Sequence, residues 1–308
     1  MPAQHMLLTS QTTVWEKGNM SASVIITGAT SGIGLQFARR IAATGLASTE
    51  GFAPADNPAV ADDCTIVIAG RRGELLEQRA DELRGYGVTV DTVTGDLADE
   101  AVLGSLIERA RSCTTLINCA GYGHGGHVAD VEPGELLRMM RVHQDSAVRL
   151  IRAALPAMRA AHRGLIINVG SLAGRAPVPG GAVYSATKAF LERFSESVAL
   201  ENARHGIVVQ VLLPGFVRTD FHRNDDPATP YRRRRAGWMS PEAVVSVSLR
   251  RARRAARRLA RRPAAVPRAR DTVVVTGGIY RALSGVARLL PRTTTYRASL
   301  TFERRNRS

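Results

Sequence analysis

Seven short apolar runs, each five to seven residues long, alternate with longer amphipathic stretches along this 308-residue chain. The runs fall at 23–27, 64–69, 88–93, 114–118, 164–169, 207–213 and 272–276, and the helical stretches at 32–44, 73–84, 99–111, 134–161, 181–204 and 241–261. Runs as continuously apolar as Ile66-Val67-Ile68 predict strands buried on both faces, because a strand with one wet face alternates with polar residues. Together they predict an α/β fold, a doubly wound parallel β-sheet with helices on both faces. No repeat and no linker divides it, so 21–291 reads as a single domain between a flexible leader (1–20) and a basic tail (292–308). Met20 directly precedes the first strand, so translation is expected to begin there and residues 1–19 to be dispensable.

One connection is too long. Gly45 ends the first helix, and the next strand is due within about 2–6 residues. Residues 46–63 instead insert a Gly/Ala/Pro/Asp-rich loop containing Pro54 and Asp56-Asn57-Pro58. A helix-to-strand joint lies at the N-terminal edge of a parallel sheet, opposite the ligand crevice. The insertion therefore reads as a decoration on the solvent side.

Composition excludes several classes. No apolar run approaches the 18 or so residues of a membrane span, and the N-terminus has neither the basic start nor the apolar stretch of a secretory signal. Cys64, Cys113 and Cys119 form no Cys-x-x-Cys pair, which fits a reduced, cytoplasmic setting without structural zinc. The net charge of +15 is unevenly spread: residues 1–222 carry 20 Lys+Arg against 22 Asp+Glu, and residues 223–308 carry 22 Arg against 5 acids. Of the 42 basic residues only Lys17 and Lys188 are lysine, a skew that makes Arg-richness by itself weak evidence of function.

The residues between strands and helices are more specific. Thr27-Gly28-Ala29-Thr30-Ser31-Gly32-Ile33-Gly34 joins the first strand to the first helix, where glycines let the backbone approach a pyrophosphate at the helix N-terminus. The second strand ends in Arg71-Arg72, with no acidic residue to grip the ribose of NAD. Either arginine suits a 2′-phosphate, so position favours NADP(H) over NAD(H), although a solvated pair is the plain alternative. Asp96-Leu97 follows the third strand, Asn118-Cys119-Ala120-Gly121 closes the fourth, and Ser171 follows the fifth. Tyr184 and Lys188 share one helix face, and a nearby ammonium lowers a phenol's pKa from about 10. This pairing predicts proton exchange by Tyr184. In a chain that writes Arg nearly everywhere, a lysine there points to the need for a compact ammonium.

These motifs resemble, in order and spacing, those of the short-chain dehydrogenase/reductase family over roughly residues 20–290, together with Pro214-Gly215-Phe216-Val217-Arg218-Thr219. The resemblance implies one Rossmann domain, hydride transfer with a nicotinamide cofactor, and a homodimer or homotetramer built through 134–161 and 181–204. It implies that Tyr184 is the general acid or base, that Lys188 holds the nicotinamide ribose and depresses the Tyr184 pKa, and that Ser171 bonds the substrate carbonyl. The cofactor would be contacted by Thr27, Gly28, Ser31, Gly32, Ile33, Gly34, Arg71, Arg72, Leu97, Ala120, Pro214, Gly215 and Val217. Asn118 and Gly121 would lie along it, Asp96 near the adenine and Thr219 near the nicotinamide amide, with Tyr184 and Lys188 completing the set. The expected activity is NADP-dependent reduction of a carbonyl on a hydrophobic or acyl-thioester substrate.

His143 stands where the family carries an asparagine that holds a relay water. The expectations are a replacement relay titrating near 6.5, a histidine merely packed in its helix, or impaired catalysis. His124-Gly125-Gly126-His127 lacks a third ligand, so a loop near the substrate entrance is expected and no metal. The arginines of 250–262 lie opposite Val245, Leu249, Ala252, Ala256 and Leu259, which fits a core-packed helix with a solvated basic face. Arg232–Arg235 fall in the expected substrate lid, about 215–239, where they would either meet an acidic carrier or substrate or form a mobile solvated tip. The competing reading is a catalytically weak NADP-binding protein that docks an acidic partner or an anionic membrane surface through this basic quarter. No nucleic-acid module is present.

Overall fold

In the computed structural model, residues 22–44, 64–222, 237–262 and 265–307 are described. The leader, the 46–63 insertion and Arg232–Arg235 lie outside them. Strands β1 (Ala22–Thr27), β2 (Cys64–Gly70), β3 (Thr89–Thr94), β4 (Thr115–Asn118), β5 (Gly164–Val169), β6 (Ile207–Leu213) and β7 (Val273–Val275) stand within one or two residues of their expected ends. They form one parallel sheet in the order β3-β2-β1-β4-β5-β6-β7. The chain winds outward in both directions from β1 and β4, so the crevice at their C-terminal ends is where a ligand belongs.

Strand side chains alternate between two cores. Val24 and Ile26 face one side with Phe37, Ile41, Leu76 and Leu249, beneath helices α1 (Gly32–Thr44), α2 (Gly73–Arg84) and α7 (Pro241–Arg261). Ile25 faces the other with Leu106, Leu150, Met158 and Val198, beneath α3 (Glu100–Ala110), α5 (Ser146–Ala160) and α6 (Ala182–Asn202). Each such fully buried aliphatic side chain stabilises the fold by about 1.5–3 kcal/mol relative to exposure. No helix among the described residues is long and apolar enough to cross a membrane.

Two features depart from expectation. The stretch 134–161 is not one regular helix: α4 (Pro133–Met140) and α5 are joined by a π-helical turn, Arg141–Asp145. The C-terminal residues also hold more structure than a strand and a tail, because β7 is followed by α8 (Gly278–Leu289) and α9 (Arg292–Arg307).

Candidate active site

At the end of β1, the Thr27 hydroxyl oxygen accepts the N–H groups of Cys119 and Ala120, each at 3.0 Å, and so ties the ends of β1 and β4 together. The turn that follows has no room for side chains. Gly28 has φ +71°, and a Cβ there would stand 2.8 Å from the Ala120 Cα. At Gly34 a Cβ would fall 2.3 Å from the Gly28 carbonyl oxygen, so α1 starts directly against the turn. Ile33 is half-buried beside it and packs on the core. The unpaired N–H groups that open any helix point here from the first turn of α1.

The arginines after β2 divide their partners. Arg72 Nη2 donates to Thr30 Oγ1 at 2.9 Å and to Ser31 Oγ at 3.1 Å, and its Nη1 lies 3.7 Å from Asp220. Arg71 stands 5.7 Å from the centre of the Tyr122 ring, which Arg138 also approaches at 5.3 Å. Arg138 forks onto Asp96 Oδ2, with Nε at 3.0 Å and Nη2 also bonded. Burial works against the Asp96 carboxylate, but the Ala98 N–H and the Arg138 guanidinium outweigh it and hold its pKa low. Leu97 is buried beside it. Arg138 and Tyr122, which complete this corner, carry no local sequence signal.

Deeper in the crevice, Asn118 and Asn168 face each other across β4 and β5 and bond at 2.8 Å. Asn168 passes the chain on to Ser195 of α6, also at 2.8 Å. The Asn118 Oδ1 is buried without a partner among the described residues. Lys188 is buried and donates to the Val169 carbonyl at 2.9 Å, with its ammonium 5.7 Å from the centre of the Tyr184 ring. Ser171 opens the 3₁₀ turn Leu172–Arg175, and its Oγ accepts the Ala173 N–H at 3.1 Å. Gly174 presses this turn onto α6 so closely that a Cβ would lie 2.6 Å from the Ala189 nitrogen. Ser171 and Tyr184 are thereby brought into hydrogen-bond contact.

The electrostatics correct one expectation. The Tyr184 phenol is pushed up to about 12 by burial, and the Ser171 hydrogen bond only partly offsets this. Burial outweighs any pull from Lys188, whose own ammonium is desolvated and lowered to about 8. At neutral pH the site therefore holds a protonated phenol beside a protonated lysine.

Of the readings open for His143, its surroundings favour the packed histidine. Its Nε2 accepts the Tyr122 N–H at 3.1 Å, so Nδ1 carries the proton and donates to Thr187 Oγ1 at 2.9 Å. Thr187 in turn donates to the Tyr184 carbonyl at 2.8 Å. Burial and the nearby Lys188 depress His143 to about 2, so it stays neutral where a titration near 6.5 is expected of a protonating relay. Lying in the π turn, His143 is bonded to the Tyr122 backbone and to Thr187 of α6.

A pH dependence of stability follows. Below pH 6.5 the unfolded chain takes up a proton that native His143 refuses, so stability falls by about 1.4 kcal/mol per pH unit from this group. Urea unfolding at pH 7 and pH 5 should show the wild type losing about 2 kcal/mol more than His143→Asn. Equal losses would refute the buried, neutral state.

The segment after β6 closes the crevice. Gly32 has φ +58° and lies against Thr219, with a Cβ there 3.0 Å from the threonine methyl. Val217 is buried and bridges to Met239. The Pro214 carbonyl accepts the Leu172 N–H at 3.2 Å, which links this segment to the serine turn. The Tyr280 ring of α8 lies over Gly215 and its hydroxyl accepts the Phe216 N–H at 3.2 Å. Phe221 stands 5.8 Å from the Tyr184 ring. Arg175, on the serine turn, forks onto Glu192 of α6 at 2.6–3.2 Å and bonds Ser284 of α8. Gly121 borders both His143 and Lys188. His124 is exposed, and among the described residues no three His, Cys, Asp or Glu stand together as a metal site.

The family model described as short chain dehydrogenase matches residues 44–229. Sulfoacetaldehyde reductase 2 of Chromohalobacter salexigens is 34% identical over 208 residues, which cover 66% of this chain and 75% of that one. The NADP-dependent 3-hydroxy acid dehydrogenase YdfG of Salmonella typhimurium is 36% identical over 200 residues, 63% of this chain and 72% of the relative. Bovine dehydrogenase/reductase SDR family member 7B is 31% identical over 214 residues, 66% of this chain but only 60% of the bovine protein's length. A short-chain dehydrogenase from Sphingobium yanoikuyae, solved in complex with NADPH, superposes with a TM-score of 0.66 at 27% identity, covering 87% of this chain and 94% of that one. The family match takes in more than half of the chain and carries the serine, tyrosine and lysine that the fold has gathered at one crevice. On these grounds the chain belongs to the short-chain dehydrogenase/reductase family of NAD(P)-dependent oxidoreductases.

Proposed function

We propose that the protein is an NADP-dependent ketoreductase acting on a hydrophobic or acyl-thioester carbonyl. The observation that carries this reading is the convergence of Ser171, Tyr184 and Lys188 beside the glycine turn, with the phenol protonated at neutral pH. A dinucleotide fits the residues present: Gly28 and Gly32 leave backbone uncovered, and the buried Asn118 Oδ1 awaits a donor. Thr27, Ser31, Ile33, Gly34, Ala120, Gly121, Pro214, Gly215, Val217 and Thr219 would line it, with Asp96 and Leu97 at the far end. Bound there, the cofactor supplies the hydride. The protein does the rest. The Ser171 hydroxyl orients a carbonyl oxygen, Tyr184 gives that oxygen its proton, and Lys188 steadies the phenolate left behind. A proton-loaded Tyr184 suits reduction better than oxidation.

The apolar ring of Phe221 over Tyr184 supports a hydrophobic substrate. Exposed Leu137, Met140 and Leu200 on α4 and α6 support assembly as a homodimer or homotetramer through those helices. Three cysteines without a disulfide support a reducing, cytoplasmic setting. NADP preference is supported by the missing carboxylate after β2 and by Arg72, held ready by Thr30 and Ser31. Arg72→Ala should raise the KM for NADPH about tenfold to a hundredfold, the worth of a charge-assisted hydrogen bond, and leave that for NADH nearly unchanged. An equal loss for both cofactors would rule out the phosphate role.

A further inference from the structure

Much of the positive charge of the last quarter is gathered around one cleft. Helix α7 is held by a buried apolar face that includes Val245, Leu249, Ala252 and Leu259. Away from that face, Arg250, Arg254 and Arg258 form one row four residues apart, and Arg253, Arg257 and Arg261 a second. Like charges at that spacing repel along a helix. The helix dipole favours Arg258 and Arg261 in the last turn, but it does not reach Arg250, Arg253 or Arg254.

Beyond α7 the chain returns through Arg268–Asp271 into β7 and encloses a cleft of about 690 Å³, in which eight of ten lining residues are arginine. Asp271 is the one carboxylate among them, and it lies 3.6 Å from Arg251. Arg258 Nη2 donates to the Val266 carbonyl at 2.7 Å, while its buried Nε has no partner among the described residues. The cleft sits ahead of the first residue of β7, at the N-terminal edge of a parallel sheet. The catalytic side chains and glycine turn lie at the opposite edge.

We propose that this cleft is a second binding site, for a compact anion carrying several phosphate groups. Guanidinium forks match phosphate oxygens two at a time, and a polyphosphate would relieve the repulsion between the rows. The cleft is concave and of small-molecule size, which suits a compact solute better than a flat bilayer. No aromatic residue lines it among the described residues, which gives no platform for the stacking that single-stranded nucleic acid uses. Because it lies across the sheet from the crevice, the anion and the cofactor would bind together.

Calorimetric titration of the full chain with inorganic tripolyphosphate tests this, with NADPH saturating and ionic strength fixed by sodium chloride. Saturable binding is expected, weakened about tenfold or more in Arg254→Gln/Arg261→Gln/Arg262→Gln. Those three side chains are exposed, so NADPH affinity and the ligand-free melting temperature should stay as in the wild type. Binding of equal strength in the triple variant would overturn the proposal, as would no heat beyond that of chloride. Phosphatidylglycerol vesicles that pellet the protein while tripolyphosphate fails to bind would overturn it in favour of a membrane surface.

Discussion

Tyr184→Phe is expected to lower carbonyl reduction by about 10²–10⁴-fold, the usual worth of a positioned general acid. Cofactor affinity should barely change. Phenylalanine keeps the ring against Phe221 and against the Lys188 ammonium, so packing survives and only the proton is lost. In the proposed reaction Tyr184 is the donor, since burial holds its phenol near 12, and the Ser171 hydrogen bond aims it. Steady-state kinetics with NADPH measures the loss directly. A variant retaining more than about a tenth of wild-type kcat would mean that some other group protonates the product.

Glu192→Ala should produce the largest loss of stability. The Arg175–Glu192 pair is bidentate and its side chains are only 15% and 13% exposed. Removing the carboxylate leaves the half-buried Arg175 guanidinium without its countercharge, which costs about 3 kcal/mol. For a chain of this size that is a fall of roughly 5 °C in melting temperature. Glu192→Gln keeps a hydrogen-bond acceptor and should lose less. Because Arg175 also ties the serine turn to Ser284 of α8, kcat should fall with stability, through a displaced Ser171. Calorimetric melting of both variants checks the first claim and kcat the second. A change within about 1 kcal/mol for Glu192→Ala would show the pair to be dispensable.

The parts that were legible in the sequence are those written in local patterns. Ile66-Val67-Ile68 announced a doubly buried strand, the glycine spacing of 28, 32 and 34 a crowded turn, and the four-residue step from Tyr184 to Lys188 a shared helix face. What escaped depends on distant partners. Arg138 meets Asp96 across 42 residues and Arg175 meets Ser284 across 109, and nothing adjacent to either arginine marks it out in a chain so rich in arginine. The Tyr184 pKa was misjudged for a related reason. Spacing shows that an ammonium is near, but not that burial of both groups dominates. For His143 the sequence leaves relay and packed histidine open, because only the fold shows that both ring nitrogens are engaged.

The measurement that bears most directly on the central claim is NADPH oxidation by the purified protein over aryl ketones, steroids, quinones and 3-oxoacyl thioesters, with NADH in parallel. Turnover of at least one class, preferring NADPH and lost on Tyr184→Phe, is expected. Tight NADPH binding without turnover of any carbonyl in the panel would contradict it, and so would turnover indifferent to Tyr184.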